Sequence, residues 1–209
     1  MNRLETGEIR IGAYSSITIN LLPKILGEFK KLYPFITIHL YEGNATELDR
    51  WLEEDKIDFG IGTSHNEKWE FELLFENQIV IVMNNAHQLS KINRINLKEI
   101  ECEEFILPYT NSHLEVHQIF KKEQMQPNIA YRVKGDETII SMVRQNLGIS
   151  LLAELLLKND TSGLAIRPLE EDVSRKIGYL IHTKKHLQTP AILKMLDFIK
   201  EWMNNNKCL

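Results

Sequence analysis

Cysteine is nearly absent: Cys102 and Cys208 are the only two in 209 residues, far apart and without a C-x-x-C pair. That favours a reducing cytoplasm over an oxidising compartment. Long hydrophobic runs are missing too. No stretch approaches the roughly 18 apolar residues that a membrane-spanning helix needs, and the polar, charged opening Met1–Glu8 is no signal peptide. Nor does basic charge accumulate. With 25 Lys and Arg against 29 Asp and Glu, a net charge of -4 and a pI near 6.0, the chain has no cluster suited to gripping nucleic acid by itself. There is no internal repeat, and no low-complexity stretch beyond Asn204–Asn206.

Catalytic signatures are equally thin. The chain has no G-x-S-x-G, no phosphate-cradling Walker loop and no dinucleotide fingerprint. Cys102 lies between Glu101 and Glu103, poor surroundings for a thiolate nucleophile. His113 and His117 stand four apart on an expected helix, but the intervening Leu114-Glu115-Val116 lacks the H-E-x-x-H order of a metalloprotease. No enzyme activity, metal or cofactor is expected.

What is present is periodicity. Ile9 to Ala13 is β-prone. Leu22, Ile25, Leu26, Phe29 and Leu32 then recur at helical spacing, predicting one helix from a Ser16 N-cap to about Tyr33, with Pro23 near its start and Pro34 ending it. Ile36–Tyr41 is a strand with Ile36, Ile38 and Leu40 on one face. A helix carrying Leu48, Trp51 and Leu52 follows, then a buried strand over Asp58–Gly62. This strand–helix alternation predicts a parallel sheet with covering helices. Phe71–Phe75 and Gln78–Met83 read as two further β-prone runs. A second α/β unit follows, with strands at Phe105–Pro108, Ile129–Lys134 and Gly148–Leu152 and helices at Leu114–Glu123 and Thr138–Asn146. Strands at Leu164–Leu169 and Lys176–His182 and a helix from Pro190, facing inward with Ile192, Leu193, Leu196, Ile199 and Met203, complete the chain. The expected architecture is α/β in two lobes: residues 1–83 and 164–209 form the first, residues 84–163 the second.

Several of these segments, in order and spacing, resemble the effector-binding domain of LysR-type transcription regulators. They are Gly7-Glu8-Ile9-Arg10-Ile11-Gly12, Leu21-Leu22-Pro23 with Phe29 and Tyr33-Pro34, and Glu42-Gly43-Asn44 through to Ile57-Asp58-Phe59-Gly60-Ile61-Gly62. In the second lobe, Val143 through Gly148-Ile149-Ser150-Leu151-Leu152 fits as well. The resemblance covers about residues 7 to 203. It departs at Asn146, where the family usually has glycine, and at Ala153, where it often has proline; asparagine tolerates a left-handed turn.

The resemblance implies a type II periplasmic-binding-protein-like fold, mixed sheets with helices on both faces, and an effector cleft between lobes. It implies DNA binding only through a winged helix-turn-helix domain and linker helix outside this sequence. It also implies a homodimer in which the first helix meets the Leu114–Glu123 helix of a second copy. Metabolite binding would then alter DNA binding by the intact dimer or tetramer. The rival reading is a stand-alone solute-binding protein of the same fold.

Ligands of open α/β sheets settle at the carboxyl ends of strands, against helix N-termini. The candidates there are Ser15 and Ser16, Asn44 and Thr46, Thr63 and Ser64, and in the second lobe Tyr109, Thr110 and Thr138. Each is also a good cap or turn residue without a ligand. Asp136 and Glu137 suit dipole partners better than ligand groups. No Arg or Lys falls in these segments, so a small polar metabolite, a carboxylate or other small anion, fits better than a phosphate ester.

Overall fold

Alternating Ile9 and Ile11 form the buried side of strand β1 (Gly7–Ala13) in a computed structural model that describes residues 6–63, 66–108, 114–182 and 189–206. After β1 come α1 (Ser15–Asn20), α2 (Leu22–Leu32), β2 (Ile36–Glu42), α3 (Ala45–Glu53) and β3 (Phe59–Gly62). β1 pairs in parallel with β2, from Gly7 opposite Ile36 to Ala13 opposite Glu42, and with β3 from Ile11–Phe59 to Ala13–Ile61. Helices join these parallel neighbours, as the alternation predicts. β2 is the edge strand, so its inward face fades: Ile36 is buried, Ile38 half-buried and Leu40 exposed.

The single helix expected from Ser16 to Tyr33 is two helices, broken at Leu21. Pro23 has no N–H and its ring clashes with a preceding turn, so the chain restarts and places it in the first turn of α2. Ser16 is therefore not a cap. Tyr14 holds the N-cap position of α1 without a side-chain cap bond, and Ser16 turns inward, 1% exposed. On α2, Leu22, Ile25 and Phe29 are buried as expected, whereas Leu32 at the end is 62% exposed.

The chain divides into two compact units, Met1–Glu76 with Lys176–Leu209, and Asn77–Arg175. The expected crossings lay after Met83 and Gly163. They fall instead inside β4 (Trp69–Asn84) and near the start of β9 (Ser174–His182), because both strands run on across the boundary. The two runs expected at 71–75 and 78–83 are thus one 16-residue strand.

In unit 1, β9 lies antiparallel beside β3, and α6 (Pro190–Asn205) packs on β1 and α2. Thr189 caps α6, its hydroxyl accepting from Ile192 N–H at 3.4 Å, with Pro190 in the first turn. Ile192, Leu196, Ile199 and Met203 are buried as expected; Leu193 is not, at 48% exposed.

Tyr179 fills the middle of this unit, fully buried, its ring edge-on to Phe59 and its hydroxyl donating to the Leu196 carbonyl at 2.8 Å. Burial, reinforced by Glu72 and Asp197, raises its pKa far above the ordinary value of about 10. Above that pH the unfolded phenol loses its proton while the folded one keeps it. Stability should therefore fall as pH rises past about 10, by up to about 1.4 kcal/mol per pH unit. Tyr179→Phe should remove this slope and cost about 1 kcal/mol at neutral pH for the lost hydrogen bond, since the Leu196 carbonyl keeps its place in the ladder of α6. Urea titrations between pH 8 and 11 check this; equal slopes in both proteins would refute it.

In unit 2, the second half of β4 runs antiparallel to both β7 (Ser150–Ala153) and β8 (Leu164–Pro168), so Val80 lies opposite Leu152 on one side and Pro168 on the other. β5 (Phe105–Pro108) and β6 (Ile129–Val133) form a parallel pair, with α4 (Leu114–Lys122) between them in sequence and α5 (Asp136–Arg144) after β6. Ile81, Phe105, Ile106, Val116, Val143 and Leu151 lie in its core. Two short 3-10 helices, Gln88–Lys91 and Leu97–Ile100, occupy the stretch after β4. Asn146 adopts φ 58, the left-handed turn that permits asparagine where the resembled family has glycine. Among the described residues no helix is long and apolar enough to cross a membrane.

Candidate functional site: the strand ends of unit 1

The carboxyl ends of β1, β2 and β3 lie side by side, because β1 is hydrogen-bonded to both neighbours. Tyr14 follows β1 and Thr63 follows β3. Their side chains meet, Tyr14 Oη to Thr63 Oγ1 at 2.7 Å, and both residues are buried. Ser15 begins α1 half-buried, with buried Ser16 beside it. Thr18, also on α1, donates its hydroxyl to Glu42 Oε2 at 2.5 Å and to the Ser15 carbonyl at 3.1 Å, tying α1 to the end of β2. Asn20 closes the helix, its amide donating to the Ser16 carbonyl at 3.3 Å.

Of the expected site residues, Ser15, Ser16 and Thr63 are therefore brought to one end of the unit 1 sheet. Asn44 is there as well, but as a cap: its side chain accepts from Glu47 N–H at 3.0 Å, and Glu47 Oε2 accepts from Asn44 N–H at 2.9 Å. Thr46 is exposed in the first turn of α3. Thr138 belongs to unit 2, exposed in the first turn of α5, which begins at Asp136 with Gly135 at its N-cap. Ser64, Tyr109 and Thr110 lie outside the described residues, as do Asn111, Ser112 and His113. His117 is exposed on α4. Trp51, Trp69 and Trp202 are all buried in unit 1.

Tyr14, Thr18 and Glu42 were not among the sequence candidates. Each depends on a partner distant in the chain, 49 residues away for Tyr14–Thr63 and 24 for Thr18–Glu42, so no local pattern announces them. Glu42 also sets the charge of this end: the strand-end segments carry a carboxylate and no Lys or Arg.

Asn44→Ala tests the cap assignment. Losing the reciprocal pair should lower the stability of unit 1 by about 1 kcal/mol. Asn44→Asp keeps the acceptor and should cost far less. Thermal denaturation of both variants decides; equal losses would point to something other than the cap.

Residues 2–204 match the LysR substrate binding domain family. The chain belongs to that family. The Bacillus subtilis protein described as uncharacterized HTH-type transcriptional regulator YoaU is 26% identical over 199 residues, covering 95% of this chain and 68% of that protein. A second from the same organism, described as uncharacterized HTH-type transcriptional regulator YvbU, is 30% identical over 190 residues, covering 90% of this chain and 63% of that one. The LysR substrate-binding domain thus spans about two thirds of these relatives. Among solved structures, the Synechocystis PCC6803 CcmR regulatory domain in complex with 2-PG superposes with a TM-score of 0.89 at 21% identity, covering 96% of this chain and 99% of that one. The effector-binding domain of QuiR in complex with shikimate gives 0.84 at 21% identity, with 96% and 98% covered. The fold is the type II periplasmic-binding-protein-like arrangement that the sequence motifs imply, in a ligand-sensing regulatory domain.

Proposed function

We propose that the strand ends of unit 1 hold part of a small polar effector, and that its binding alters DNA binding by a longer regulator that acts as a homodimer or tetramer. The observation that carries this is the convergence of Tyr14, Ser15, Ser16 and Thr63 on adjacent strand ends, where two buried hydroxyls already meet at 2.7 Å. Hydroxyls both donate and accept, so they suit a ligand rich in oxygen. Glu42 favours a ligand that also brings a donor, such as a hydroxy acid or an amino acid, over a multiply charged anion. Self-association is supported by exposed apolar side chains: Leu32 at 62%, Phe35 at 60% and Leu40 at 41% exposure, all in unit 1. The effector can shift the regulator only by binding one arrangement of it better than another.

A thermal-shift screen against amino acids, hydroxy acids, other organic acids and inorganic anions tests the site. A ligand that binds only the folded state, at about 100 times its dissociation constant, adds roughly 2.7 kcal/mol. The expected result is a selective hit that Ser15→Ala and Thr63→Val both weaken. A selective hit untouched by either substitution would place the effector elsewhere and sink the assignment.

A further inference from the structure

Unit 2 contains a cavity of about 340 Å³ that shares no residue with these strand ends. Its apolar wall is Ile79 and Val80 of β4, Ile166 and Pro168 of β8, and Leu169. The remaining lining is mostly charged: Arg94, Glu154, Glu171 and Asp172. Three carboxylates thus face one guanidinium. That guanidinium is already committed in part, Arg94 Nη2 donating to the Leu169 carbonyl at 2.7 Å.

Glu171 carries the chemistry. Its Oε1 accepts a long bond from Leu97 N–H at 3.4 Å. Its Oε2 is buried and has no hydrogen-bond partner among the described residues. A buried carboxylate oxygen without a donor is costly, and a donor with positive charge offsets that cost best. The carboxylates do not converge as metal ligands do: among the described residues no three His, Cys, Asp or Glu side chains are placed to hold one ion. Negative charge is instead spread along an apolar wall, and the volume lies at the small end of small-molecule pockets.

We propose that this cavity is a second small-molecule site, separate from the strand ends of unit 1, and that it takes a small organic cation: an ammonium group on a short aliphatic body. The ammonium lies beside the Glu171 carboxylate, whose negative charge it offsets, with Glu154 and Asp172 adding attraction at the rim, where both are exposed. The aliphatic part lies against Val80, Ile166 and Leu169, two of which are almost fully buried.

The test is an NMR titration of this chain with three probes of one shape: hexylammonium, hexanol and hexanoate. Hexylammonium should give saturable shifts at the amides of Gln78, Val80 and Glu171 while those of Ser15 and Thr63 stay still. It should bind at least about tenfold more tightly than hexanoate. Glu171→Gln, which can still accept from Leu97 N–H, should weaken it about tenfold. Absence of saturation, shifts centred on Ser15 and Thr63, equal binding of hexanoate, or full retention in Glu171→Gln would each overturn the proposal. Should Glu171→Gln not fold, the double variant Glu154→Gln/Asp172→Asn takes its place, both positions being exposed. It should lose most of the preference for hexylammonium over hexanol, and an unchanged preference would overturn the proposal equally. A silent thermal-shift screen at the unit 1 site leaves these shifts unaffected, so the two sites succeed or fail separately.

Discussion

Gly178→Val should destabilise unit 1 by more than about 3 kcal/mol. Gly178 lies in β9 opposite Gly62 of β3 and is buried. A Cβ at this position would stand 2.2 Å from the Glu72 carbonyl oxygen and 2.6 Å and 2.7 Å from two ring carbons of Phe71. The carbonyl is backbone of β4, the strand beside β9, and cannot swing away as a side-chain end could. Even alanine requires the two strands to separate, at a cost of about 3 kcal/mol, and the branched valine adds to this. Against a total stability of about 5–15 kcal/mol, that removes a large share of what holds unit 1 folded. Gly27→Ala is the contrasting change. Gly27 is exposed on α2, and nothing lies within 4 Å of a new Cβ. It should raise stability by about 0.5–1 kcal/mol, since glycine inside a helix loses more backbone freedom than alanine. Circular dichroism during urea denaturation checks all three. A Gly178→Ala protein within about 1 kcal/mol of the parent would show that β9 and β4 yield more easily than their spacing implies.

The fold was legible wherever a local pattern had a local cause. Ile9 and Ile11 alternate because one side of β1 is buried, and Pro190 after Thr189 opens a capped helix. Pro23 did mark a helix start, but of a second helix. The hydrophobic spacing from Leu22 to Leu32 says nothing about whether α1 continues into α2, so the break at Leu21 went unseen. β4 was misread for a related reason. Glu76 and Asn77 look like a polar interruption between two strands, yet Asn77 is 5% exposed and its Oδ1 accepts from Leu155 N–H at 3.2 Å. A partner 78 residues away occupies the side-chain oxygen, although Nδ2 has no partner among the described residues, and the strand continues through it.

The candidate site was legible as a position and less so as a set of side chains. The rule that ligands gather at strand ends located Ser15, Ser16 and Thr63. Capping preference then misassigned Ser16, because the residue in extended conformation ahead of α1 is Tyr14. The same preference holds for Asn44, whose reciprocal bonds with Glu47 need only a three-residue spacing. Tyr14 with Thr63, and Thr18 with Glu42, follow from strand order alone, and strand order is fixed by contacts far apart in the sequence.

Asp58→Ala should destabilise unit 1 by about 3 kcal/mol, far more than removing the arginine it pairs with. Asp58 Oδ1 accepts from Arg10 Nη2 at 2.6 Å and Oδ2 from Arg10 backbone N–H at 2.7 Å. Asp58 N–H in turn donates to the Arg10 carbonyl at 2.8 Å, just ahead of the β1–β3 ladder that begins at Ile11 and Phe59. The carboxylate therefore acts as a staple on backbone as well as an ion-pair partner. Its side chain is 11% exposed, whereas that of Arg10 is 38% exposed and also donates to the Asp55 carbonyl. Solvent screens the guanidinium, so Arg10→Met should cost only about 1 kcal/mol. Asp58→Asn retains an acceptor for the backbone N–H without the charge and should fall between, at about 1–2 kcal/mol. The ranking carries the claim: if the ion pair dominated, Arg10→Met and Asp58→Ala would cost the same. Hydrogen exchange adds a spatial check. Loss of the staple should speed exchange at the Ile61 and Gly62 amides of β3 more than across β8 in unit 2. Those β3 amides lie next to Thr63, so loosening this end of the ladder should also release the hydroxyl contact with Tyr14 at the other.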